Sequence, residues 1–217
     1  MAAAGRALVM TTLETDLPDT AAAPPAPTDE LDLFRARHYG LLAVVLRAAP
    51  TRETLDLASR LTGSGSALGC AHAALAEAAR RADPKAVERE YFRLFIGVGR
   101  GEIVPYGSFY QTGLLQEKPL ARLRGDLAAL GIERAPDTVD LEDHVGMLCE
   151  TMAGLIDGRF DAPPGSDRAF FDAHLAPFVE RFFADVERAE AANFYRHVGA
   201  LGRAFVEIEA DLMALAA

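Results

Sequence analysis

Tryptophan is absent from this sequence of 217 residues, cysteine occurs twice, and no apolar run approaches the ~20 residues that span a bilayer. Each shortage removes a class of protein. Cys70 and Cys149 have no paired spacing, which argues against a disulfide framework or a cysteine-based zinc site and fits a reducing compartment. Met1 to Glu30 contains Arg6 but no sustained apolar segment, so the expectation is a cytoplasmic chain that is neither exported by a signal peptide nor stably inserted in a membrane. Strand-like alternation of useful length and internal repeats are missing as well. Basic residues are in deficit: 22 Lys and Arg stand against 32 Asp and Glu, a formal charge of −10. That balance keeps a protein soluble or suits a basic partner. It disfavours nucleic acid and anionic lipid, whose binding requires a basic face.

What remains is helical in character. Half the residues are apolar, and Ala and Leu, which have the best helix propensities, are abundant. The length allows one domain with a substantial core. Residues 1–28, with Ala21-Ala22-Ala23-Pro24-Pro25-Ala26-Pro27, read as a disordered tail because proline removes donors and disfavours helix before it. Residues 29–217 read as a single all-α unit, a compact bundle of about nine to eleven helices, with 132–139 as the polar stretch where two lobes would divide.

Local signals place most of these helices. Thr28 is a candidate cap for a first helix carrying Leu31, Phe34, Leu41, Leu42 and Val45, and Thr51 caps a second. Gly63 to Ser66 reads as a loop before an Ala-rich helix from Ala67 to Arg81. Asp83-Pro84 restarts the chain, with Tyr91, Leu94 and Phe95 on one face and a stop near Gly97. Gly97 to Gly113 is irregular and aromatic. Leu120, Leu123, Leu127 and Leu130 then form a helical stripe closed by Gly131. Asp140 and Asp143 read as cap and third residue of a helix bearing Val145, Leu148, Cys149 and Met152. Pro163-Pro164 opens a further stretch, Phe178, Phe182 and Phe183 mark the next face, and Phe194 to Leu212 forms the last helix.

Residues that could carry chemistry are few. Glu142, Asp143 and His144 put carboxylates beside an imidazole, as in an acid–base pair, but helix capping explains the carboxylates equally well. Cys70-x-His72 points its two side chains apart on a helix and lacks further ligands, so no metal is expected. Gly97-Val98-Gly99-Arg100-Gly101 follows a helix rather than a strand, and Ser108 has no nucleophile-type motif, so neither marks an enzyme.

Tyr91-Phe92-Arg93-Leu94-Phe95-Ile96-Gly97, Pro105-Tyr106-Gly107-Ser108-Phe109-Tyr110, Glu142-Asp143-His144 and Phe170-Phe171-Asp172-Ala173-His174-Leu175-Ala176-Pro177-Phe178, in this order, resemble the signatures of the TorD/DmsD/NarJ family of redox-enzyme maturation chaperones. The resemblance spans about residues 30–215 and implies a TorD-like helical fold without enzymatic activity; no cofactor is expected, since no cofactor fingerprint accompanies these residues. It implies a monomer or homodimer that binds the twin-arginine leader peptide, the body, or both, of a precursor molybdenum-cofactor oxidoreductase of the formate dehydrogenase or DMSO/TMAO reductase type. Carried over by position, the peptide-binding residues are Tyr91, Leu94, Phe95, Pro105, Tyr106, Ser108, Glu142, Asp143 and His144. Gly107, Leu141 and Phe178 depart from the family pattern, which often has Glu, Pro and Trp there. The alternatives are a helical adaptor that recognises some other peptide and, with less in its favour, a small acid–base enzyme.

Overall fold

The computed structural model describes residues 10–12, 29–63, 65–136 and 138–215. Its ten α-helices are α1 (Glu30–Arg47), α2 (Arg52–Ala58), α3 (Ala67–Arg81), α4 (Pro84–Tyr91), α5 (Gly107–Thr112), α6 (Lys118–Ala129), α7 (Val145–Ile156), α8 (Ser166–His174), α9 (Val179–Arg188) and α10 (Tyr195–Leu215). The expected all-α class is therefore what the chain adopts. The only ladder among the described residues pairs β1 (Met10–Thr12) antiparallel with β2 (Ile132–Arg134), three residues on each side. The rest of the expected N-terminal tail, Thr28 included, lies outside the described residues. α1 is capped by Asp29, whose side chain accepts the Leu31 amide at 3.4 Å.

α7 occupies the centre because almost nothing on it tolerates water. Every residue from Val145 to Gly154 is buried, and the only charge, Glu150, meets Arg47 of α1 at 3.0 Å. A helix that is apolar all round must be covered on all sides. α1 packs along it most extensively, and segments on both sides of 132–139 share one core. α10 lies against α9 and α3. Gly199 and Gly202 permit the close approach to α9, since a Cβ on either would run into the backbone of Glu187 or the ring of Phe183.

Charged groups tie these layers together. Arg35, on the buried face of α1, meets Glu209 of α10 at 2.7 Å, Asp167 of α8 at 2.8 Å and Asp32 at 2.9 Å, and the Tyr39 hydroxyl donates to Glu209 at 3.1 Å. Glu209 has no exposed surface, so its charge is tolerable only because these donors surround it. Leu31 and Phe34, expected on the apolar face of α1, are instead 45% and 37% exposed. Phe34 lines an open groove of about 600 Å³ with Leu33, Leu41, Leu57 and Leu61.

The start of α10 rests on another long-range contact. Asp83 makes no side-chain cap for α4, but Glu90 at the end of that helix caps α10. Its carboxylate accepts the amides of Asn193 at 2.8 Å, Phe194 at 3.0 Å and Tyr195 at 2.7 Å. These are the donors a helix start leaves unsatisfied. Glu90→Ala removes one side chain and orphans three amides, so urea denaturation is expected to show a loss of about 3 kcal/mol or more. A change below about 1 kcal/mol would mean that water replaces the cap.

Candidate peptide-binding site

The site begins where α4 ends. Its last turn widens into a π-turn over Phe92–Ile96, closed by the Gly97 amide on the Phe92 carbonyl at 2.7 Å. Gly97 has φ 65°, which a side chain rarely adopts. The chain then folds back, with the Ile103 amide on the Leu94 carbonyl at 2.8 Å. On the inner side, Tyr91, Phe95 and Tyr195 form a ring cluster with centroids 5.2 to 6.0 Å apart. Leu94 is wholly buried beside it, and the Tyr91 hydroxyl donates to the Leu46 carbonyl at 3.3 Å.

Two further stretches meet in a short antiparallel bridge between Tyr106 and His144. The Val145 amide donates to the Pro105 carbonyl and the Gly107 amide to the Asp143 carbonyl, both at 2.9 Å. This pairing corrects the expected start of α7. Held extended against the loop, residues 143 and 144 cannot be helical. The helix begins at Val145, with His144 as its cap in place of Asp140, and Asp143 is not its third residue. The His144 Nδ1 accepts the Gly146 amide at 3.1 Å, which fixes a neutral ring with its proton on Nε2. Asp143 caps a different helix: its Oδ2 accepts the Ser108 amide at 2.7 Å, in the first turn of α5.

Tyr106 stands at the surface end of this bridge. Its ring meets His144 edge-on at 5.2 Å, and its hydroxyl donates to Asp140 Oδ1 at 3.1 Å. Burial, then the neighbouring Asp140, raises the Tyr106 phenol above its ordinary value and pushes Tyr91 up to about 12. Burial lowers His144 to about 4, assisted by the Arg47 charge and opposed by Asp140. Burial alone would raise Glu142, but hydrogen bonds from Arg124 at 2.8 and 3.0 Å, with the charges of Arg124 and Arg134, hold it low.

The residues expected to bind peptide thus gather into one region but differ in what they expose. Tyr91 and Tyr106 are half-buried and reach solvent. Leu94, Ser108, Asp143 and His144 are at most 3% exposed, Phe95 and Pro105 are buried, and Glu142 is engaged by Arg124. Asp143 Oδ1, Ser108 Oγ and Arg47 Nε are buried without a hydrogen-bond partner among the described residues. Asp140, Arg47 and Tyr195 belong to the same neighbourhood. Arg47 and Tyr195 carry no sequence signal for it, and Asp140 shows only as a cap candidate. Two departures from the family pattern also touch: a Cβ on Gly107 would lie 3.0 Å from the Phe178 ring.

No group of three or more His, Cys, Asp or Glu among the described residues could hold a metal ion, and no helix there is long and apolar enough to cross a membrane. Comparison with known proteins fits a binding role. Residues 64–184, more than half the chain, match the family model described as nitrate reductase delta subunit. The chaperone protein TorD of Vibrio atlanticus is 24% identical over 203 residues, covering 83% of this chain and 94% of that protein. A solved structure from Archaeoglobus fulgidus, described as a redox enzyme maturation protein, superposes with a TM-score of 0.55 at 19% identity, over 88% of this chain and 99% of that one. Fold and family together define a redox-enzyme maturation chaperone, not an enzyme. The chain belongs to the nitrate reductase delta subunit family, in the TorD/NarJ group.

The buried His144 makes the site sensitive to acid. Because its folded value lies below that of an unfolded imidazole, folding favours the neutral ring. This contribution is complete above about pH 6.5, is lost progressively as pH falls, and is exhausted near pH 4. Between pH 7 and pH 5 the loss from this residue is about 2 kcal/mol. His144→Asn keeps a capping side chain, and its urea midpoints are expected to fall less between those pH values than the parent's. Equal falls would show that His144 is protonated without penalty.

Proposed function

We propose that this chaperone recognises the twin-arginine leader, and adjoining parts, of a precursor molybdenum-cofactor oxidoreductase in the cytoplasm, holding it until the cofactor is in place. The observation that carries the reading is that half-buried Tyr106, hydrogen-bonded to Asp140, gathers with half-buried Tyr91 in the region where Asp143 and Ser108 each retain an unused acceptor atom. Such a leader offers an apolar stretch beside two guanidinium groups, and guanidinium matches carboxylate in both charge and shape. In this arrangement Tyr91 and Tyr106 meet the peptide, Pro105, His144 and Glu142 fix the shape of the loop, and Leu94 and Phe95 anchor it from below.

Magnitudes show why the carboxylates matter. Burying about three apolar side chains gives roughly 4 to 9 kcal/mol, and ordering a flexible segment costs about 2 to 5. Micromolar affinity, about −8 kcal/mol, therefore needs charge–charge help. A fully exposed pair adds only about 0 to 1 kcal/mol, whereas a hydrogen bond to a shielded charge adds about 1.5 to 3. The unmatched oxygen of Asp143, at 3% exposure, is in the second regime once a donor reaches it.

The reading is tested by replacing Tyr106 with p-benzoylphenylalanine and irradiating the protein in its native cytoplasm. The expected adduct is a single oxidoreductase precursor with its leader attached. Calorimetry with that leader as a peptide should then show Asp143→Asn weakening binding by about tenfold or more. A scatter of unrelated adducts, or unchanged affinity in a folded Asp143→Asn protein, overturns the assignment.

A further inference from the structure

The outer face of α4 and its π-turn gathers basic and apolar side chains in a chain whose net charge is −10. Lys85, Arg89, Phe92, Arg93 and Ile96 recur at steps of three and four, so they form one stripe about 16 Å long on a helix. All five are exposed, Phe92 at 45% and Ile96 at 52%. The loop that follows carries Val98, 98% exposed, and Arg100, whose guanidinium lies 5.0 Å from the Phe109 ring centroid. Glu90, which would neutralise part of this stripe, is turned inward on the amides of α10. None of the four basic side chains forms an ion pair among the described residues, and Glu88 is the one acid lining the depression beside Phe92.

A chain of net charge −10 thus exposes four cations around three large apolar side chains. Composition alone disfavours anionic lipid, but folding assembles a local basic face from Lys85, Arg89, Arg93 and Arg100. We propose that this face docks reversibly on an anionic lipid surface, with Phe92, Ile96 and Val98 entering the headgroup region and Lys85, Arg89, Arg93 and Arg100 meeting the lipid charges. The overall negative charge does not forbid it. Screening over about 8 Å at physiological salt leaves the local patch to set the interaction. An acidic polypeptide would satisfy the cations too. It would need a matching cavity for a side chain as protruding as Val98, whereas lipid accepts apolar tips without one. An isologous contact with a second copy would set cation against cation. The proposal is independent of the leader-binding reading, which concerns the opposite side of α4.

Each arginine or lysine near such a surface improves partition about fivefold, so docking is expected to be weak and sensitive to salt. The test is flotation of the full chain with phosphatidylcholine vesicles containing about one-third phosphatidylglycerol. The expected result is co-flotation at low salt, release at ~0.5 M salt, and little binding to pure phosphatidylcholine. Arg89→Glu/Arg93→Glu should reduce partition by at least about twenty-five-fold, and Val98→Asp should reduce it independently, with thermal unfolding unchanged for both. Flotation that is absent, or insensitive to these substitutions, overturns the proposal. Retention on immobilised poly-L-glutamate without flotation would overturn it as well, and would assign the face to an acidic polypeptide.

Discussion

Carboxylates that cap helices far away in the chain hold this protein in register. Glu90 closes the start of α10 from 103 to 105 residues away and Asp143 closes the start of α5 from 35 residues away; Glu102 likewise accepts the amides of Glu190 and Ala191, 88 and 89 residues distant, in the turn between α9 and α10. A helix start carries partial positive charge and unsatisfied donors. A carboxylate brought to it from another element therefore fixes position and direction together, which apolar packing alone does less sharply. α5 depends on this most. It has six residues, the side chain of its own cap residue Tyr106 accepts no amide of the helix, and helices so short are unstable in isolation.

The same contacts place the region where Tyr91, Tyr106, Asp143 and His144 gather. Asp143 draws the loop before α5 onto the residues before α7, and the bridge between Tyr106 and His144 follows from that pairing. On the far side, Glu90 fixes α10, which brings Tyr195 against Tyr91 and Phe95. Two buried carboxylates with separate clients thus bring an aromatic floor beneath a half-open polar rim. Rigid support under half-buried aromatic groups lowers the ordering penalty for whatever segment would dock there.

Much of the fold was legible in the sequence. Ser66 and the Ala-rich run gave α3 its limits, Ala67 and Arg81, and the leucine spacing with Gly131 located α6. Both are local signals. α5 was not readable, because its stretch is rich in Gly and Pro and its cap comes from residue 143. For the same reason Asp143 looked like a cap for its own neighbour: carboxylates before a helix usually are, and only the antiparallel pairing with the 105–107 loop shows otherwise. Arg35 and Glu209, 174 residues apart, give no sign in sequence that they share a buried ion pair. In the site, resemblance picked out residues that do gather, but not their depth, since burial of Asp143 and His144 depends on elements the motif does not contain.

The contact between Gly107 and Phe178 bears on how this member differs from its relatives. Where the pattern often has a long acidic side chain and an indole, this chain has no side chain facing a phenyl ring, and the ring fills the space a Cβ would need. A side chain at 107 would require the buried Phe178 ring to give by a few tenths of an ångström. Volume added at position 107 would have to be given up at position 178, so two sites 71 residues apart in the chain are sterically coupled.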